Sequence, residues 1–227
     1  MNSNLLETKN LGLSLKGRWL FRNLELSIPP SSFVAITGPS GVGKTSLLRA
    51  LAKELVPTEG KMVSLLSEDQ PTAMIFQDLQ LANGASTLTN VLGGCLSRHS
   101  SLRTFWGFPS EEKERSLSLL DQFGLADKCH QWASTLSRGE RQRLAICRTL
   151  LSTPTLLLAD EPVASLDAEW ANRTLATLRS TQLETGGSIV CSLHDEEQVH
   201  RFADFVLRLN PERPAEWAWE KLTPTDK

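Results

Sequence analysis

The sequence predicts an α/β domain: a mostly parallel sheet, an N-terminal antiparallel β region and an inserted helical subdomain. Three observations carry the parallel sheet. Continuous apolar runs at 33–37 (FVAIT), 156–159 (LLLA) and 188–193 (SIVCSL) have the composition of strands buried on both faces. Helical stretches separate these runs, as parallel crossover connections require. A glycine-rich octapeptide, GPSGVGKT at 38–45, joins the first run to a helix.

Taken in order, residues 24–28 read as a strand ended by Pro29 and Pro30, and 33–37 as the first buried strand. SLLRALAKEL after the octapeptide is helical, and 74–76 is a short strand. From about 78 to 132 the pattern changes to helix and loop, which is the expected inserted lobe. Within it, SEEKERSLSLLDQFG begins at Ser110, with acidic residues in its first turn and Gly124 at its C-terminal cap. Phe105, Trp106 and Phe108 form an aromatic cluster that either packs this lobe or lines an apolar groove. RQRLAICRTLL is a further helix, with Cys147 on its apolar face. The run at 156–159 ends in Asp160-Glu161, the run at 188–193 ends at His194, and 205–209 is a fifth strand. The tail at 211–227 is polar and proline-punctuated and is expected to be irregular, with Trp217 and Trp219 as its only aromatic groups. The whole chain, 1–227, reads as a single domain.

Composition narrows the classes. With 40% hydrophobic and 22% charged residues, 14 Gly and 11 Pro, the chain is neither disordered nor collagen-like. The net charge of −2, from 24 basic and 26 acidic residues, gives no general reason to bind nucleic acid or an anionic membrane. No apolar run approaches the roughly 18–20 residues of a membrane span, and the polar start is not a secretory signal. The four cysteines, at 95, 129, 147 and 191, form no CxxC pair, so neither zinc nor a disulfide framework is expected. These features describe a reduced, cytoplasmic protein.

The octapeptide fits G-x-x-x-x-G-K-[ST] in its proper strand–helix context. Glycines let backbone N–H groups converge on one anion, and the helix N-terminus adds partial positive charge. Lys44 suits the β- and γ-phosphates, and the Thr45 hydroxyl suits Mg²⁺. Gly38, Pro39, Ser40, Gly41, Val42, Gly43, Lys44, Thr45 and Ser46 are therefore the candidate nucleotide-binding residues of a P-loop NTPase. The motif alone leaves kinases, GTPases and transport motors open.

Asp160 ends a buried strand, where a carboxylate is costly unless it faces a cation or donors. Holding Mg²⁺ beside the phosphate loop is the compensation. Glu161 can polarise the attacking water, and His194 can orient Glu161, the water or the γ-phosphate. Gln77 can reach both metal and water. LSRGE at 136–140 precedes a helix, and Ser137 with Glu140 makes a capping box that any helix start could use. A capped N-terminus is equally an anion site.

In this order the motifs resemble those of the ATP-binding-cassette transporter ATPases over roughly residues 5–210. GPSGVGKT is similar to the Walker A motif and Gln77 to the Q-loop. LSRGE is similar to the signature, LLLADE to Walker B, SLD ending at Asp167 to the D-loop, and His194 to the switch histidine. The resemblance implies ATP and Mg²⁺, and a head-to-tail homodimer in which Ser137 and Gly139, with Glu140 and Asp167 nearby, meet ATP bound on the partner copy. It also implies membrane subunits, one of which sends a short helix into the helical lobe, and an indirect link to a substrate-binding protein. The implied location is the cytoplasmic face of the inner membrane. LADEPVASLD, TNVLGGCLSR, GFPSEEK and SLHD resemble the phosphonate-importer ATP-binding subunits in particular.

The sequence departs from the family at three places. Arg138 and Glu140 stand where Gly and Gln are usual, Ser31-Ser32 replaces Gly-Glu, and the adenine-stacking aromatic is not a Tyr, because the chain has none. Trp19, on the turn before the 24–28 strand, is the expected substitute, with Phe21 as the alternative. Competing readings are an exporter or lipoprotein-release ATPase, a small-molecule P-loop kinase, and a non-transport cassette protein.

Overall fold

The computed structural model describes residues 4–64, 66, 71–98 and 107–222. They fall into two compact units. The first comprises Met1–Met74, Thr155–Glu161 and Gln182–Lys227, and the second Ile75–Pro154 and Pro162–Thr181.

In the first unit, β1 (Leu6–Leu15) and β2 (Arg18–Leu24) form an antiparallel hairpin. Lys16 and Gly17 both take positive φ, 51° and 80°, the geometry that a two-residue hairpin turn demands. β1 also pairs antiparallel with β3 (Ser27–Ile28) and β5 (Glu59–Ser64). The expected single strand at 24–28 is therefore two pieces, the last residue of β2 and the whole of β3.

The second sheet has the order β10-β9-β4-β8-β7-β6. Its members are β4 (Phe33–Thr37), β6 (Thr72–Ile75), β7 (Leu156–Asp160), β8 (Ser188–Ser192), β9 (Phe205–Leu209) and β10 (Trp217–Lys221). β4 runs parallel to β8 and β9, and β7 runs parallel to β8. Every residue of β4, β7 and β8 is buried, the condition under which a strand reads as an unbroken apolar run. β10 corrects the expectation of an irregular tail: it pairs antiparallel with β9, and Trp219 stacks on Phe205 with ring centres 5.4 Å apart. The two tryptophans supply the apolar contact that holds this strand at the sheet edge.

Helix α1 (Lys44–Leu51) sends Leu47, Leu48 and Leu51 into the core of the first unit, among Phe21, Ile28, Ile36 and Val190. Burying each such side chain contributes about 1.5–3 kcal/mol. α1 is shorter than the predicted helix because the chain turns at Lys53, whose φ is 62°.

The second unit is built from α2 (Thr87–Leu92), a 3₁₀ turn at Gly93–Arg98, α3 (Ser110–Gln122), α4 (Arg138–Leu151) and most of α5 (Ala168–Glu184). The described part of the expected insert at 78–132 lies within this unit, which also takes in α4 and most of α5. Its buried residues include Val91, Cys95, Leu120, Phe123, Leu144 and Cys147. Burial pushes the Cys147 thiol far up, so it behaves as a small hydrophobe. The 3₁₀ turn lies tight against α4: a Cβ on Gly94 would fall 1.9 Å from the Arg148 carbonyl oxygen. Arg98 then bonds the Glu112 carboxylate and the Leu151 carbonyl, both at 2.8 Å, joining the turn to α3 and to the end of α4. Phe105 and Trp106 of the aromatic cluster lie outside the described residues, and Phe108 is half-buried.

Candidate functional site

β4 delivers the chain into the glycine-rich loop. Gly38 takes φ 142° and Gly43 φ 117°, both in the left-handed half of the map that L side chains avoid. Gly43 is also the N-cap of α1 and supplies no side-chain cap, so an anion can serve the leading N–H groups. The next residue, Lys44, is buried, and its Nζ donates to the carbonyls of Gly38 at 2.8 Å and Pro39 at 3.2 Å. Burial lowers its pKa, and the carboxylates of Glu161 and Asp160 work against that shift.

Asp160, at the end of β7, is only 1% exposed. Its Oδ2 accepts from the Thr45 hydroxyl at 2.7 Å, and its Oδ1 accepts from the Ser192 hydroxyl at 2.8 Å. Glu161 follows with φ 48°, a rare conformation for a non-glycine residue. Its N–H donates to Ser192 Oγ at 2.8 Å, and its Oε1 lies 2.6 Å from Nε2 of the half-exposed His194. The first unit thus brings Lys44, Thr45, Asp160, Glu161 and His194 together. Thr45 and Asp160 offer the hard oxygen donors that Mg²⁺ prefers, beside a helix start suited to phosphate.

Trp19 does not stand on a turn. It is the second residue of β2, opposite Ser14 on β1, and half-buried. The Arg22 guanidinium lies 4.2 Å from its ring centre, held there by a two-pronged bond to Glu59 at 2.9 Å on each arm. One ring face is thereby covered by a cation.

The remaining expected residues belong to the second unit. Ser137 caps α4: its hydroxyl accepts from the Glu140 N–H at 3.3 Å, and its own N–H donates to Glu140 Oε2 at 2.8 Å. Glu140 also pairs with Lys128. That pairing, with the Ser137 N–H and against a burial cost, brings the Glu140 carboxyl down to about 2. Gly139 packs under the D-loop, since a Cβ there would meet Leu166 Cδ2 at 3.0 Å and the Ser165 carbonyl at 3.3 Å. Asp167 accepts from the Trp170 N–H at 2.9 Å and so caps the start of α5. Gln77 is exposed just beyond β6.

Sequence reasoning missed three contributors. Arg148 on α4 donates to the carbonyls of Leu79 at 2.9 Å and Gln80 at 2.7 Å, anchoring the segment that follows Gln77. Arg143 is buried, donates to the Phe123 carbonyl at 2.6 Å and stacks on Trp170. Ser192 sits between Asp160 and Glu161. Periodicity could register the two arginines only as polar positions on a helix, and the serine only as a small residue in an apolar run.

Comparison with known proteins gives a consistent answer. The family model described as "ABC transporter" matches residues 21–164. The phosphite import ATP-binding protein of Stutzerimonas stutzeri is 40% identical over 198 residues, 83% of this chain and 72% of that protein. A phosphonates import ATP-binding protein of Oceanobacillus iheyensis is 34% identical over 90% of this chain and 86% of its own length. Among solved structures, a dimeric post-hydrolysis ATP-binding cassette bound to ADP and Pi superposes with a TM-score of 0.81. It is 27% identical and covers 96% of this chain and 99% of that one.

Proposed function

We propose, because this chain belongs to the ABC transporter family, that it drives the import of a phosphonate, phosphite or related oxyanion. The chain is an ATP-binding and ATP-hydrolysing transport subunit. The cargo class rests on relatives named as phosphite and phosphonates import ATP-binding proteins, at 34–40% identity over most of the chain.

The single observation that carries the chemistry is the Glu161–His194 contact of 2.6 Å beside the Thr45–Asp160 bond of 2.7 Å. In this reading the glycine loop and Lys44 bind the β- and γ-phosphates, while Thr45 and Asp160 would hold Mg²⁺. The metal, when bound, supplies charge neutralisation between the phosphates. Glu161 accepts a proton from the attacking water, and His194 fixes the carboxylate's direction. Trp19 stacks on adenine. Two copies act head to tail, with Ser137 and Gly139 of one meeting the γ-phosphate held by the other, next to Glu140 and Asp167.

The chain works at the cytoplasmic face of the inner membrane, against membrane subunits that receive cargo from a binding protein. Among the described residues no helix is long and apolar enough to cross a membrane. Co-purification with the membrane subunits, reconstitution in liposomes and addition of the loaded binding protein test this. Methylphosphonate or phosphite should stimulate ATP hydrolysis and sulfate should not. Stimulation only by an unrelated cargo, or only by an outward-moving lipid, overturns the importer assignment.

A further inference from the structure

We infer that Ser192 is a positioning residue for hydrolysis, setting the backbone of Glu161 and the carboxylate of Asp160 with one hydroxyl. The inference rests on the reading of this chain as an ATP hydrolase.

β7 and β8 run parallel with Asp160 directly beside Ser192, and both side chains are buried, at 1% and 0% exposure. The Ser192 O–H donates to Asp160 Oδ1 at 2.8 Å, and the same oxygen accepts the Glu161 N–H at 2.8 Å. A hydroxyl has one proton to give and lone pairs to receive, so a single serine can serve both neighbours. Alanine can serve neither, and cysteine only weakly.

The geometry makes both bonds consequential. Asp160 Oδ1 is fixed by Ser192, which leaves Oδ2 directed at the Thr45 hydroxyl, 2.7 Å away. Glu161 has φ 48°, a conformation that persists only where the surroundings over-determine it. The N–H bond to Ser192 holds the main chain there, and the Oε1 contact with His194 holds the side chain at its far end. Without the hydroxyl, Glu161 relaxes toward an ordinary backbone conformation and its carboxylate swings off the line to the γ-phosphate. A misplacement of this kind costs rate more than affinity, because the phosphate loop still holds the nucleotide. Groups that orient a metal ligand or a catalytic carboxylate typically carry about 10- to 100-fold in activity.

Ser192→Ala and Ser192→Thr decide the matter, each measured for kcat, ATP dissociation constant and amide hydrogen exchange at Glu161 in protein without nucleotide. Ser192→Ala should lower kcat by about 10- to 100-fold, leave the dissociation constant within about threefold, and speed exchange at the Glu161 amide by about tenfold or more. Ser192→Thr keeps the hydroxyl and should return both readings toward wild type. If Ser192→Ala does not fold, Ser192→Cys takes its place, with the same expectations. An alanine or cysteine variant with unchanged Glu161 exchange, or with kcat within about threefold of wild type, overturns the proposal. Exchange is read without hydrolysis, so a chain that fails to hydrolyse ATP would sink the ATPase reading while the Ser192–Glu161 link is still decided.

Discussion

The Arg143 guanidinium carbon lies 3.8 Å from the centre of the Trp170 ring, and Arg173 approaches the same ring at 4.9 Å. Arg143 comes from α4, the helix that begins at the signature, and Trp170 from the first turn of α5, which Asp167 caps. The stack therefore joins the two segments of the second unit on which the transport reading places the partner's ATP. Arg143 is buried, with its charge disfavoured by desolvation, and its Nε has no acceptor among the described residues. The aromatic face and the Phe123 carbonyl together offset that cost.

Trp170→Ala should destabilise the second unit by about 2–4 kcal/mol, from lost packing and lost cation–π contact. A conservative Trp170→Phe should recover more than half. Gly124→Ala should also destabilise, because its Cβ would stand 2.5 Å from Trp170 Cη2 at a φ of 66°. Calorimetric melts check all three; a melting temperature unchanged in Trp170→Ala would show that the stack is idle.

Glu140 makes a prediction about acid. Its carboxyl is brought down to about 2, first by Lys128 and then by the Ser137 N–H, from an ordinary value of 4.5. A depressed carboxyl stabilises the fold above its unfolded value and loses that contribution as pH falls through its folded value. Glu140→Gln keeps an amide oxygen for the Ser137 N–H but removes the charge facing Lys128. Wild type should exceed the variant by about 1–2 kcal/mol at neutral pH, allowing for solvent around the pair. That difference should shrink between pH 4.5 and about 2. Denaturant titrations across this range check it; a gap that stays constant with pH would assign the effect elsewhere.

Arg138 is exposed in the first turn of α4, while Gly139 is wedged under Leu166 and Ser165. Arg138→Gly should change ATPase activity by less than about threefold, under 1 kcal/mol in barrier. Gly139→Asp should abolish it, since the added carboxylate crowds Leu166 and Ser165 and, in the proposed dimer, would meet the partner's phosphate. Steady-state ATPase rates of the two variants decide, and a tenfold loss in Arg138→Gly would make the arginine a phosphate ligand.

Trp19 is half-buried, with one ring face under Arg22. Trp19→Ala should raise the ATP dissociation constant roughly five- to 150-fold, the equivalent of about 1–3 kcal/mol of stacking. Fluorescent-nucleotide titration checks this, and unchanged affinity would leave Trp19 as a support for Arg22 alone.

The legible parts of this fold are those where burial is complete or the motif is local. β4, β7 and β8 are buried at every position and so appear as apolar runs. The capping box at Ser137 and Glu140 lies within four residues and is realised as expected. β10 was illegible because its strand character comes from pairing with β9 and from Trp219 on Phe205, neither of which is local in sequence. The hairpin that carries Trp19 depends on Lys16 at positive φ, which its residue type does not announce. Ser192 gains meaning only from its register beside Asp160, and Arg143 only from a ring 27 residues further along the chain, at Trp170. The candidate site followed the same division: Lys44, Asp160, Glu161 and His194 stand at strand or loop ends marked in the sequence, whereas their supports do not.

The central claim is that Glu161, held 2.6 Å from His194, is the base that activates water. The most direct measurement is ATP turnover and ATP binding by Glu161→Gln, with dimerisation followed in ATP. The amide keeps the shape but polarises water poorly. Turnover should fall by about 10²–10⁴ while binding persists and ATP locks two copies together. A Glu161→Gln protein that hydrolyses ATP at close to the wild-type rate would contradict the account.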